Sequence, residues 1–120
     1  MLIKRWLKEE IVKSLEDKRV TILYGARQVG KTTLVKELIA EHKGAYFSCD
    51  EPDIREAFSN KTSSEMKNFI RDAKFIVLDE AQRVPNIGLS LKLLHDTYPE
   101  IKIIATGSSS FELANKIIEP

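Results

Sequence analysis

Four short apolar runs set the outline of this chain: RVTILYG (19–25), GAYFSCD (44–50), KFIVLDE (74–80) and IKIIATG (101–107). A strand with one wet face alternates polar and apolar residues, whereas a strand covered on both faces reads as a continuous apolar run. The third and fourth runs are of the second kind. Between the runs lie stretches with apolar residues three and four apart, the period of a helix with one buried face. Residues 31–42 carry Leu34, Val35, Leu38 and Ile39 in this way. Pro52 suits the first turn of a short helix through Phe58. Thr62 and Glu65 have capping-box spacing and open a helix whose inner face is expected to be Met66, Phe69, Ile70 and Ala73. Pro85 and Asn86 break the chain before a helix with Ile87, Leu91, Leu94 and Tyr98 on one side. A helix is also expected over 2–16, on Ile3, Leu7, Ile11 and Leu15 beside Trp6, and a last one from Phe111, capped by Ser110. Alternating strands and helices predict an α/β fold, a three-layer αβα core with a mostly parallel sheet.

Composition narrows the class further. At 120 residues the chain suits one domain. Lys plus Arg is 19 and Asp plus Glu is 18, for a formal net charge of +1. Residues 1–60 hold 11 positive and 10 negative groups and residues 61–120 hold 8 of each, so no basic field or acidic tail stands out. The charge pattern supplies no argument for a nucleic-acid or protein partner and excludes neither. Cys49 is the single cysteine, which rules out an internal disulfide and fits a reducing cytoplasm. Charged residues among the first ten exclude a secretory h-region. No apolar run approaches the ~18 residues of a membrane span.

In parallel sheets, ligands bind beyond the carboxyl ends of the strands. The residues there are Gly25–Thr32, Ser48–Asp50, Asp79–Glu80 and Thr106–Ser110. The first group, in YGARQVGKTTL (24–34), is G-x-x-x-x-G-K-T between a strand and a helix, the pattern of a phosphate-binding P-loop. A triphosphate is a dense polyanion with many acceptor oxygens. Bare backbone N–H groups wrap it only where the chain curls tightly, and Gly25 and Gly30 tolerate that curl. The amides of Gly25, Ala26, Arg27, Gln28, Val29 and Gly30 would form a nest, continued by the N-terminal donors of the following helix. Lys31 places an ammonium against the β- and γ-phosphates, the Thr32 hydroxyl is positioned to bind Mg²⁺, and Thr33 adds a hydroxyl near the α-phosphate.

Asp79 and Glu80 close the third strand. Asp79 would hold Mg²⁺ through its waters, which that ion sheds reluctantly. Glu80 would orient an attacking water or take its proton. Thr106 and Ser108, where the fourth strand ends, would reach the γ-phosphate or the water; an ordinary turn and an N-cap account for Ser109 and Ser110. Arg27 is read as a contact to a phosphate or to a carboxylate on a partner, or equally as a solvated surface group. Arg83 is read first as a salt-bridge partner, with Glu80 or a neighbouring molecule's nucleotide as alternatives. His42 and His95 have no ligand spacing, and Cys49 reads as a small buried residue.

GARQVGKTTL, FIVLDEAQRVPN and IIATGSSSFEL, in this order and spacing, resemble the AAA+-type P-loop ATPases of bacteria and archaea in which the ATPase domain precedes a separate C-terminal domain. The resemblance covers about residues 1–118. It implies Walker A at Gly25–Thr32, Walker B at Asp79 and Glu80, a sensor-like position at Thr106 or Ser108, ATP or ADP with Mg²⁺ as ligands, and ATP hydrolysis. Such cores normally have a fifth strand and a helical lid, and only four strands are read here. The chain is therefore expected to be a truncated or proteolytic N-terminal portion of such a domain (helix 2–16, nucleotide-binding core 19–118). It is expected to bind nucleotide weakly, hydrolyse it slowly and self-associate. Two other classes use the same motif: a non-hydrolysing nucleotide switch, which needs only Lys31, Thr32 and Asp79, and a P-loop phosphotransferase, against which Glu80 argues.

Overall fold

The computed structural model describes residues 20–24 and 29–107. The expected helices over 2–16 and after Ser110 lie outside the described residues. In chain order the elements are β1 (Val20–Tyr24), α1 (Val29–His42), β2 (Ala45–Ser48), α2 (Pro52–Phe58), α3 (Ser63–Ile70), β3 (Phe75–Asp79), a 3₁₀ turn (Ala81–Arg83), α4 (Ile87–Thr97) and β4 (Lys102–Gly107).

The four strands form one parallel sheet in the order β1-β4-β3-β2. The connection from β1 to β2 therefore crosses the whole sheet, and the next two connections step back across it. Right-handed crossovers in opposite directions cover opposite faces. The core divides accordingly. On one face Val35 and Leu38 of α1 pack with Phe75, Val77 and Ile104. On the other, Phe58, Met66, Ile70, Ile87, Leu91 and Leu94 pack with Ile76, Leu78, Ile103 and Ala105. Odd-numbered residues of β3 face α1 and even-numbered ones face α2–α4, as the two-residue period of a strand requires. This is why FIVL and IIA show no polar alternation. The α/β sandwich expected from the sequence is the observed fold.

Local signals explain most element ends. The capping box forms: Glu65 N–H donates to Thr62 Oγ1 at 3.1 Å, and Thr62 N–H donates to Glu65 Oε1 at 2.9 Å. The Thr62 backbone N–H, and then its side-chain hydroxyl, hold the Glu65 carboxyl below its ordinary pKa. The helix they open is shorter than expected. It ends at Ile70, with Arg71 at φ 64°, so Ala73 packs on the core from beyond the helix. Phe69 is 40% exposed, on the rim and not inside, with its ring against those of Phe47 and Phe58. In α4 the buried Ser90 is explained by a bond from its hydroxyl to Phe58 O, which ties α4 to the end of α2. Helix α1 begins at Val29, two residues before Lys31, so Gly30 lies in its first turn and not in the loop. Among the described residues no helix is long and apolar enough to cross a membrane.

The exit from α1 uses Lys43 and Gly44 in a division of labour. Lys43 takes the left-handed conformation (φ 54°), and the Gly44 N–H bonds back to Ile39 O at 2.8 Å, as in a Schellman cap. Gly44 is required for a different reason. A Cβ there would meet Phe75 Cδ2 at 2.4 Å and the Phe75 carbonyl oxygen at 2.7 Å. Phe75 is anchored in the α1 face of the sheet, so the clash cannot be relieved by a surface rotamer. Gly44→Ala is expected to lower stability by about 1–3 kcal/mol, the usual range for overpacking. A shift in urea midpoint checks this, and an unchanged midpoint would show that the contact relaxes freely.

Candidate functional site

Two adjacent carboxylates, Asp79 and Glu80, stand at the carboxyl edge of the sheet. Asp79 ends β3 on the face that carries α1, because Phe75, Val77 and Asp79 are two residues apart. Only residues 25–28 separate the end of β1 from α1, so α1 starts at this same edge. The first-turn N–H groups of any helix lack an intrahelical acceptor, which is why a helix start suits an anion.

Both oxygens of Asp79 accept hydrogen bonds from hydroxyls. Thr106 Oγ1, on the adjacent β4, donates to Oδ1, and the Tyr46 phenol, on β2, donates to Oδ2. A carboxylate has about four lone-pair sites, so acceptor capacity remains. Thr106 is 3% exposed and also accepts from the Glu80 N–H at 3.3 Å. Its hydroxyl proton is thus directed to Asp79, and Thr106 braces the acidic pair.

Glu80 lies just past β3 in the left-handed conformation (φ 57°, ψ 45°), a sharp departure from the strand. It is 7% exposed, and its Oε1 accepts from Gln82 Nε2 at 2.8 Å. The Arg83 N–H closes the 3₁₀ turn on Glu80 O at 3.1 Å. The Arg83 side chain goes elsewhere, pairing with Asp50 at 3.3 Å. This salt bridge joins the segment after β2 to the segment after β3. Arg55 supports the same segment by donating to Cys49 O (2.9 Å) and Asp50 O (2.8 Å). Gln82 and Tyr46 were not apparent as site residues from sequence. Gln82 lies in the DEAQR stretch beside the acidic pair, so its neighbourhood was a signal. Tyr46 had none, because its role depends on β2 lying next to β3.

Cys49 is fully buried beneath this cluster, and its N–H donates to Asp79 O at 2.8 Å. Burial, then the charges of Asp79 and Asp50, push its thiol from 9.0 up to about 12, with Arg55 opposing and Glu80 adding to the rise. The unfolded chain then loses the thiol proton first as pH rises. Stability should therefore be intact below about pH 9 and fall as pH rises toward 12. At about pH 8 a disulfide reagent should modify native Cys49 at least about a hundredfold more slowly than the urea-unfolded chain. Equal rates would show that the thiol is accessible.

The remaining site residues are placed less completely. Val29, Gly30, Lys31 and Thr32 form the first turn of α1, and Thr33 follows with its side chain exposed. The side chains of Val29, Lys31 and Thr32 lie outside the described part of the structure, as do residues Gly25, Ala26, Arg27, Gln28 and Ser108. Among the described residues no group of three or more His, Cys, Asp or Glu side chains could hold a metal ion. The donor set at Asp79 fits Mg²⁺ instead. It is a hard carboxylate with spare lone pairs, suited to an ion that keeps its waters and takes one or two protein ligands alongside phosphate.

Comparison with known proteins agrees with this layout. An uncharacterized protein of Methanocaldococcus jannaschii, MJ1637, is 38% identical over 121 residues, a match covering 89% of this chain and 25% of that protein. The chain thus spans about a quarter of the length of the relative it matches. The family described as AAA domain matches residues 17–120, from just before β1 through all four strands. With nearly the whole chain matched, this protein belongs to the AAA domain family and carries an AAA-type, ATPase-like nucleotide-binding domain.

Proposed function

We propose that this domain binds ATP as its magnesium complex and hydrolyses it to ADP and phosphate, with residues 19–118 as the nucleotide-binding core. The supporting observation is Asp79. It stands at the sheet edge from which α1 starts, held by Thr106 and Tyr46, with Glu80 next to it. In this reading the amides of Gly25–Gly30 and the first turn of α1 wrap the phosphates. Lys31 neutralises the β- and γ-phosphates, Thr32 and Asp79 hold the metal and its waters, and Thr33 lies near the α-phosphate. Bound Mg²⁺ would supply charge neutralisation on the transferred phosphoryl group. Glu80 accepts a proton from the attacking water as its oxygen bonds to the γ-phosphorus, and the bond to the β–γ bridging oxygen breaks to release ADP. Thr106 acts through Asp79 and the Glu80 backbone, and Ser108 is left as a phosphate contact. A reducing cytoplasm suits this reading and the free Cys49.

One observation favours the switch alternative. The Glu80 carboxylate accepts from Gln82 here, a bond that occupies one of its acceptor sites and lowers its basicity toward a water. Equilibrium binding of ATP with and without Mg²⁺, followed by phosphate release with protein in excess of ATP, tests both readings. Magnesium-enhanced binding with release of one phosphate per ATP is expected. Binding without release would favour the switch, and no binding at millimolar ATP would end both.

A further inference from the structure

The Tyr46 phenol is an unusual partner for a carboxylate at a sheet edge. Tyr46 sits on β2, the outer strand beside β3, and is 38% exposed. Register pairs Ser48 with Asp79 and Tyr46 with Val77. Tyr46 is therefore one two-residue step behind Asp79, on the same face, a gap of roughly 7 Å. A long side chain leaning along the strand can cross it and a short one cannot. Among the described residues, the buried cluster on this face is made by Val35, Leu38, Phe75, Val77 and Ile104, with Tyr46 outside it.

The consequence for Asp79 is geometric. The torsion that turns a carboxylate about its Cβ–Cγ bond is broad and poorly held by intrinsic preferences. One donor, Thr106, fixes one oxygen but leaves the plane able to swing. A second donor on the other oxygen, reaching in from the opposite neighbouring strand, fixes the plane. The lone pairs left over then point in one direction.

Building on the ATPase reading above, we propose that Tyr46 is a positioning residue for the magnesium–nucleotide complex. It acts through Asp79, by holding the carboxylate plane in the orientation that accepts the waters of the metal.

The test is equilibrium binding of ADP, which avoids turnover, measured in excess Mg²⁺ and in EDTA. The ratio of the two affinities is the readout. Tyr46→Phe keeps the ring and removes only the hydroxyl. It should leave the EDTA affinity unchanged and lower the magnesium enhancement by about tenfold, as for loss of a hydrogen bond to a charged group. With Mn²⁺ substituted, the electron paramagnetic resonance signal of the bound ion should broaden. In an Asp79→Asn background, adding Tyr46→Phe should change the ratio no further. A Tyr46→Phe variant with the wild-type ratio would overturn the proposal. So would an equal loss in Mg²⁺ and EDTA, which marks a merely structural role, or an undiminished effect in the Asp79→Asn background. Wild-type protein that binds no ADP under either condition would instead overturn the ATPase reading on which the proposal rests.

Discussion

Lys31→Ala is expected to weaken ATP binding at least about a hundredfold while leaving the fold intact. Lys31 lies in the first turn of α1, where free N–H donors and the positive end of the helix dipole already favour an anion. Those partial charges do not balance a polyphosphate, and a full charge beside the β- and γ-phosphates contributes more than any single amide. A charge-assisted bond of this kind contributes about 1.5–3 kcal/mol, and losing it also leaves phosphate charge uncompensated. At 1.4 kcal/mol per factor of ten, a hundredfold loss is the expected scale. Lys36 provides the control. It lies on the same helix with an exposed side chain, so Lys36→Ala removes an equal charge away from the sheet edge. Titration calorimetry on both variants decides the matter. If Lys31→Ala and Lys36→Ala bind ATP alike, the phosphate site is not where α1 begins.

Glu80→Gln should bind ATP like the wild type and release phosphate about 10²–10⁴-fold more slowly, the usual loss when a general base is removed. The substitution keeps the shape of the side chain. The amide oxygen of the new residue still accepts from Gln82 Nε2, so the 3₁₀ turn and the bonds of Asp79 to Thr106 and Tyr46 should survive. Only the acceptor of the water's proton is lost. Single-turnover phosphate release, measured with enzyme in excess, separates chemistry from product departure. Equal rates in the two proteins would remove Glu80 from the mechanism and leave Asp79 as a ligand in a nucleotide-operated switch.

The residues that were legible from sequence are those whose signals are local. The Thr62–Glu65 box forms because both partners sit within one turn. Pro52 opens α2 because its ring pre-sets the helical φ. Cys49 is buried because it follows an apolar strand beneath the acidic cluster. The errors are also physical. The helical period does not continue to Ala73, because the backbone turns to positive φ at Arg71, and Phe69, inside α3, lies at the rim against Phe47 and Phe58. The bond from Thr106 to Asp79, by contrast, spans 27 residues of chain, and no local pattern announces it.

The sequence by itself determined an alternation of apolar strands and amphipathic helices, and it put Gly25–Thr33, Asp79 and Glu80 at or just after strand ends. Hydrophobic period, turn residues and caps act over a few residues, and these can be read along a line. The tertiary structure alone decided that β4 lies between β1 and β3, that Tyr46 and Thr106 clamp Asp79 from opposite sides, and that Arg83 pairs with Asp50. Those contacts depend on which strands become neighbours and in what register. That choice is made by crossover handedness and packing on both faces of the sheet, between residues that no local pattern connects.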